Sequence, residues 1–136
     1  MSSPVLVDSS VLLDVATKDK VWFEWSVGAL ADATDAGQVL INPLIYAEVS
    51  VRYATMEELD ELLVDFKREG LPYEAGFLAG KAHKKYRDRG GKKTSPMSDF
   101  YIGAHAAVMK YSLLTRNPKD FRKYFPRLKL IAPSEN

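Results

Sequence analysis

Short apolar runs at Val5–Val7, 39–41, 112–115 and 128–132 punctuate the chain, and the stretches between them carry apolar residues at helical spacing. Runs this short, bounded by caps and breakers, predict buried strands. The first intervening stretch, Val21 to Ala36, includes Trp22 and Trp25 and stops at Gly37, as a helix ending on a glycine does. Asn42 followed by Pro43 is an N-cap with proline at the first helical position, predicting a helix from Pro43 to about Ala54. Thr55 and Glu58 form a capping box for "MEELDELLVDFK", which Gly70 ends, and "LPY" (71 to 73) reads as a short edge strand. A helical pattern resumes from Glu74 to about Arg89, and Gly90 and Gly91 break it with a flexible turn. Ser98 caps a helix to about Tyr111, and Asn117 with Pro118 repeats the capping device of Asn42 and Pro43.

Short strands alternating with helices predict an α/β domain, in which parallel strands are joined by helical crossovers and helices cover both faces of the sheet. Ligands of such sheets bind beyond the carboxyl ends of the strands. That rule makes Asp8, Asn42 and the segment from Thr115 to Asn117 neighbours of one crevice.

Three acids are candidates to reach that crevice. Asp8 ends the first strand, where it serves either the crevice or only the start of the next helix. Glu48 has Leu44, Ile45 and Val51 as its i−4, i−3 and i+3 neighbours, so it falls on an apolar stripe. A carboxylate there needs a proton, a cation or an ion-pair partner, of which Arg52 is the nearest in sequence. Asp99 sits in the first helical turn after Ser98, where the helix dipole favours an anion, and its face continues through Ile102, Gly103 and Ala106. If the three meet, each like-charge pair costs about 4 kcal/mol at ~4 Å and an effective dielectric of ~20. A divalent cation removes that cost, and all-oxygen ligands select Mg²⁺ or Mn²⁺. The other acid of the first stretch, Asp14, precedes Lys18 by four residues and reads as a surface ion pair.

Composition narrows the chemistry further. At 136 residues the chain (1–136) is expected to form a single domain, ordered except for "MSS" and "PSEN" at its ends. It contains no cysteine, so thiolate nucleophiles and cysteine metal sites are excluded. No Ser/His/Asp constellation is apparent, and His83 and His105, without metal-ligand spacing, read as surface and packing residues. The absence of a membrane-length apolar run and of a signal-peptide pattern makes the cytoplasm the expected location. The net charge of +1 conceals an asymmetry: residues 1–64 hold 3 Lys/Arg and 11 Asp/Glu, net −8, while residues 65–136 hold 16 and 7, net +9. The basic residues concentrate in 83–93 and 116–129 with aromatic residues among them, a composition that suits either a polyanion or a solvated surface. Lys84, Lys85, Arg87, Arg89, Lys92, Lys93 and Arg116 are the candidate phosphate contacts.

The set "VLVDSSVLLD", "INPLIYAEV", "SDFYIGAHA" and "LLTRNPKDF" resembles the PIN-domain ribonuclease family, and its size and layout resemble the VapC-type toxins of toxin-antitoxin systems. The resemblance runs from about Val5 to Ile131. It implies a PIN-like three-layer α/β/α sandwich on a central parallel sheet of about four to five strands, and hydrolysis of RNA with bound Mg²⁺ or Mn²⁺. It assigns the family's acids to Asp8, Glu48 and Asp99, with Ser10, and Thr115 beside it, supporting the first from behind. Where many members carry a fourth acid this chain has Asn117, which leaves Asp120, one turn on, as a substitute ligand. The resemblance also implies a homodimer and a cognate antitoxin, for which the stripe Trp22, Phe23, Trp25 and Leu30 offers a groove.

Two other functions compete. One is a catalytically weak PIN-like module that binds RNA or protein, as Asn117 would allow. The other is a haloacid-dehalogenase-like phosphatase, which needs a second acid two residues after the first and finds Ser10 there.

Overall fold

In a computed structural model describing residues 4–94 and 97–134, the strands are β1 (Val5–Val7), β2 (Val39–Ile41), β3 (Lys67–Arg68), β4 (Ser112–Leu114) and β5 (Leu130–Ile131). The outermost residues of the two termini, where the sequence predicts disorder, lie outside the described residues. The strands form one parallel sheet of order β3-β2-β1-β4-β5. The helices are α1 (Ser9–Thr17), α2 (Phe23–Ala36), α3 (Pro43–Ser50), α4 (Met56–Leu62), α5 (Tyr73–Asp88), α6 (Ser98–Met109) and α7 (Lys119–Tyr124). Helix α1 packs on α2 and α3, and α3 on α4; α6 packs on α5 and α7. Right-handed crossovers running outward from β1 in one direction and from β4 in the other put these groups on opposite faces. The result is the three-layer α/β/α sandwich.

The three inner strands are apolar but for buried Ser112, because helices cover them on both sides, and Leu6, Val7, Leu40, Ile41, Leu113 and Leu114 are fully buried. The edge strand β3 differs from the sequence reading, which put it at residues 71–73. It forms at Lys67–Arg68 by pairing with Leu40 and Ile41, and both of its residues are exposed. A charged edge strand resists pairing with a further chain. Helix α3 ends at Ser50 and α4 at Leu62, both short of the ranges the pattern predicted.

The predicted caps divide. Asn42 does cap α3, its Oδ1 accepting from the Ile45 amide at 2.9 Å, and Thr55 accepts from the Glu58 amide at 3.2 Å. Ser98 and Asn117 do not cap. Helix α6 starts at Ser98 itself with Met97 in the cap position, and α7 starts one residue after Pro118. Both side chains are engaged elsewhere, as described below. His105, read as a packing residue, is buried at the centre of α6 and joins polar groups from two strand ends: Nδ1 meets the Asn42 amide at 3.1 Å and Nε2 meets Glu69 at 2.9 Å. Glu69 also accepts from the Tyr111 hydroxyl at 2.8 Å, and burial together with that contact pushes the phenol up to about 12. His83 is half-buried between Tyr86 and Phe100 and is not a surface residue.

Gly103 sets the separation of α6 from the chain that follows α7. A Cβ there would come within 2.6 Å of the Phe125 ring and 3.1 Å of Phe121. Gly103→Val is therefore expected to destabilise the protein by about 1–3 kcal/mol through overpacking. Urea denaturation checks this, and an unchanged midpoint would show that the Phe125 ring can yield.

Candidate nuclease centre

The outward crossovers reverse between β1 and β4, which opens a crevice at the carboxyl ends of those strands. Asp8 follows β1 directly, and its amide donates to the Leu114 carbonyl at 2.8 Å. The residue occupies the N-cap position of α1 without capping it through its side chain, and it is only 4% exposed. Its Oδ2 instead accepts from the Ser10 hydroxyl at 2.7 Å and from the Thr115 hydroxyl at 2.8 Å. Two donors on one oxygen fix the plane of the carboxylate. Burial still pushes the Asp8 carboxyl above its ordinary range, against those hydrogen bonds, and the nearby Glu48 charge adds to the rise.

Glu48 is half-buried on α3, beside fully buried Ile45, although Val51 turns outward and Arg52 is not its partner. Both of its oxygens take serine hydroxyls: Ser9 at 2.9 Å on Oε1 and Ser98 at 3.0 Å on Oε2. The glutamate thus ties the start of α1 to the start of α6, and this contact draws Ser98 away from capping. Asp99, beside it in the first turn of α6, is raised to about 6 by burial first, and then by the charges of Asp8, Glu48 and Asp120. Four acids from four elements therefore share one electrostatic site. Glu48 and Asp99 line a cleft of about 750 Å³ together with Lys92, Lys93, Thr94, Met97 and Ser98.

Asn117 is exposed, and its amide oxygen turns toward the Arg116 guanidinium at 3.4 Å. Asp120 is the acid in this region whose charge reaches Asp99. Arg116 itself is not a loose phosphate contact. Its Nε and Nη2 hold Asp14 at 2.8 and 3.0 Å, and the Ser26 hydroxyl donates to the same carboxylate at 2.7 Å. The guanidinium also lies 5.7 Å from the centre of the Trp22 ring. This overturns the reading of Asp14 as a surface residue paired with Lys18: it is 2% exposed, while Lys18 takes a left-handed conformation that ends α1. The signal was present in the sequence, since Asp14 follows buried Val11 and Leu12 on one helix, as Glu48 follows Ile45. The tryptophan stripe is largely used internally, with Trp25 and Leu30 packed against the core and Trp22 set edge-on to Trp25.

Among the described residues, no three His, Asp or Glu side chains converge closely enough to form a ready metal-ligand set. The donor chemistry nonetheless fits a hard divalent cation. The oxygens are carboxylate oxygens, and the neighbouring acids' charges help to raise the Asp8 and Asp99 carboxyls, which marks negative charge without compensation. Glu48, with one serine hydroxyl on each oxygen, keeps a lone pair on each for a cation.

Residues 5–125 match the family model described as the PIN domain. The chain belongs to the PIN-domain family. Among solved structures, the fold is similar to that of a chain in VapBC2 from Rickettsia felis bound to a DNA fragment from their promoter, with a TM-score of 0.73 at 17% identity. That match covers 96% of this chain and 99% of the other. VapBC-1 from nontypeable Haemophilus influenzae aligns with a TM-score of 0.71 at 15% identity, over 95% and 97% of the two chains. A toxin-antitoxin complex from Klebsiella pneumoniae aligns with a TM-score of 0.66 at 20% identity, over 97% and 99%. At such identities the likeness is one of fold. No curated protein matches the chain. Among the described residues, no helix of this PIN domain is long and apolar enough to cross a membrane.

Proposed function

We propose that the protein is a metal-dependent endoribonuclease, the toxin of a VapBC-type pair, acting as a cytoplasmic homodimer restrained by a cognate antitoxin. What supports this reading is that the Glu48 charge reaches Asp8 and the charges of Asp8 and Glu48 reach Asp99 near the β1/β4 switch point, where they oppose ionisation of Asp8 and Asp99. Family membership supports nuclease chemistry, and the toxin-antitoxin complexes that share the fold support an antitoxin partner. Bound Mg²⁺ or Mn²⁺ would supply Lewis acidity at the phosphate and an activated water for in-line attack. The residues to hold it are Asp8 and Asp99, with Glu48 and Asp120 able to join them. Ser10 and Thr115 hold the Asp8 carboxylate in one plane, and Ser9 and Ser98 keep Glu48 at the mouth of the cleft until it is recruited.

Incubation with total RNA and Mg²⁺ or Mn²⁺, followed by mapping of cut ends, is expected to give discrete cleavage that EDTA stops. Cleavage unaffected by EDTA would remove the metal from the mechanism.

One observation favours a second reading, a weakly catalytic RNA-binding module. The amide at position 117 is turned to Arg116, and no tight three-ligand set is present among the described residues. RNA binding that persists in EDTA, with no cleavage at any Mn²⁺ concentration, would establish it. The phosphatase alternative lacks its second acid, because the hydroxyl of Ser10 at that position is spent on Asp8.

A further inference from the structure

The basic segment after the middle of α5 is not uniform. Lys84 is paired with Asp88 at 3.0 Å, and the Arg89 guanidinium lies 5.5 Å from the centre of the Tyr124 ring. Arg87 turns back on its own chain, its Nη1 donating to the carbonyls of Lys92 and Lys93, both at 3.1 Å. The Lys93 amide donates to the Tyr86 hydroxyl at 3.3 Å. Gly91 lies flat on the Tyr86 ring, where a Cβ would approach to 2.3 Å, and Gly90 takes a φ of +94° that favours glycine. The turn expected to be flexible is thus clasped by Tyr86 and Arg87.

The clasp faces Lys92 and Lys93 toward the cleft they share with Glu48 and Asp99. Both lysines are exposed, and among the described residues neither ammonium makes an ion pair. Two cations beside a group of acids would ordinarily pair with them. Here the acids take serine hydroxyls or one another's fields instead, so the cations remain available to a ligand that brings its own negative charge.

We propose that Lys92 and Lys93 form a subsite for the backbone phosphate of the nucleotide flanking the one cleaved on single-stranded RNA, and that Arg87 is the positioning residue that holds the subsite at the cleft. This rests on the ribonuclease reading and adds to it where the uncleaved strand lies. Lys84 and Arg89, already engaged, are not part of the subsite.

The test measures binding of a fluorescein-labelled single-stranded RNA in EDTA over a salt series, so that cleavage plays no part. Removing two phosphate contacts in Lys92→Ala/Lys93→Ala is expected to make the log–log salt slope shallower by about 1.4. Lys110→Ala/Lys129→Ala, at the opposite end of the sheet, controls for net charge and is expected to leave the slope in place. A neutral methylphosphonate at the flanking phosphate should weaken wild-type binding and have no further effect on the lysine double variant. Arg87→Ala should weaken binding as the double variant does, with Arg87→Lys recovering part of the loss because a single nitrogen makes both carbonyl contacts. With metal present, the lysine variants should raise KM and leave kcat within about a few-fold, the signature of lost uniform binding. An unchanged slope in Lys92→Ala/Lys93→Ala, or additive losses with the methylphosphonate, overturns the subsite. Wild-type protein that binds but never cleaves overturns the nuclease reading instead.

Discussion

Asp8→Asn is expected to lower RNA cleavage by about 10²-fold or more while the protein stays folded and melts at the same or a higher temperature. The two effects have one cause. Asp8 is buried among acids, and its carboxyl is held above its ordinary range, so its ionised form opposes folding near neutral pH. Asparagine removes that charge yet keeps an oxygen to accept from Ser10 and Thr115, the two hydroxyls now on Oδ2. A site residue of this kind is recognised by activity and stability moving in opposite directions. Steady-state cleavage of a mapped RNA, alongside a thermal melt, gives both readings. Cleavage at the wild-type rate would remove Asp8 from the centre. A large fall in melting temperature would reassign it to the fold.

Arg116→Ala is expected to cost about 3–5 kcal/mol, because it leaves the Asp14 carboxylate buried without its partner. For a chain of this size that is a fall in melting temperature on the order of 10 °C. The expectation rests on the two-pronged contact at 2.8 and 3.0 Å and on the burial of Asp14, whose remaining side-chain donor is Ser26. Asp14→Ala/Arg116→Ala should recover part of the loss, since the double variant strands no charge. Arg116→Lys should restore little of the forked geometry. A loss below about 1 kcal/mol in Arg116→Ala, the range of an exposed pair, would show that solvent already screens the contact.

The legible parts of the fold were those with an apolar signal. Strands β1, β2 and β4 were readable because helices on both faces demand continuous apolar runs, and Asp8 was readable because a charge interrupts the first. Edge strand β3 was not, since Lys67 and Arg68 pair through their backbones alone and carry no such signal. Of two identical Asn-Pro pairs, Asn42 caps its helix and Asn117 does not, because Arg116, drawn inward by Asp14, turns the neighbouring amide. That difference arises 102 residues away in sequence and leaves no local trace. Asp14 was misread for a related reason: a spacing of four to Lys18 is a cheap local explanation, and it concealed a partner supplied by the far end of the chain. Glu48 and Asp99 stood out in the sequence as candidates because each sits badly on its own helix, Glu48 on an apolar stripe and Asp99 over a tight glycine face.

The Asp8 carboxylate depends on a hydroxyl 107 residues further along, and its strand is central only once β4 has paired with it. During synthesis Asp8 emerges first, and the Thr115 hydroxyl that orients it is made 107 residues later. A chain interrupted before Ser112 therefore carries Asp8, Glu48 and Asp99 without a crevice to bring them together. The order of the strands therefore delays the assembly of the candidate centre until β4 has been made and has paired with β1.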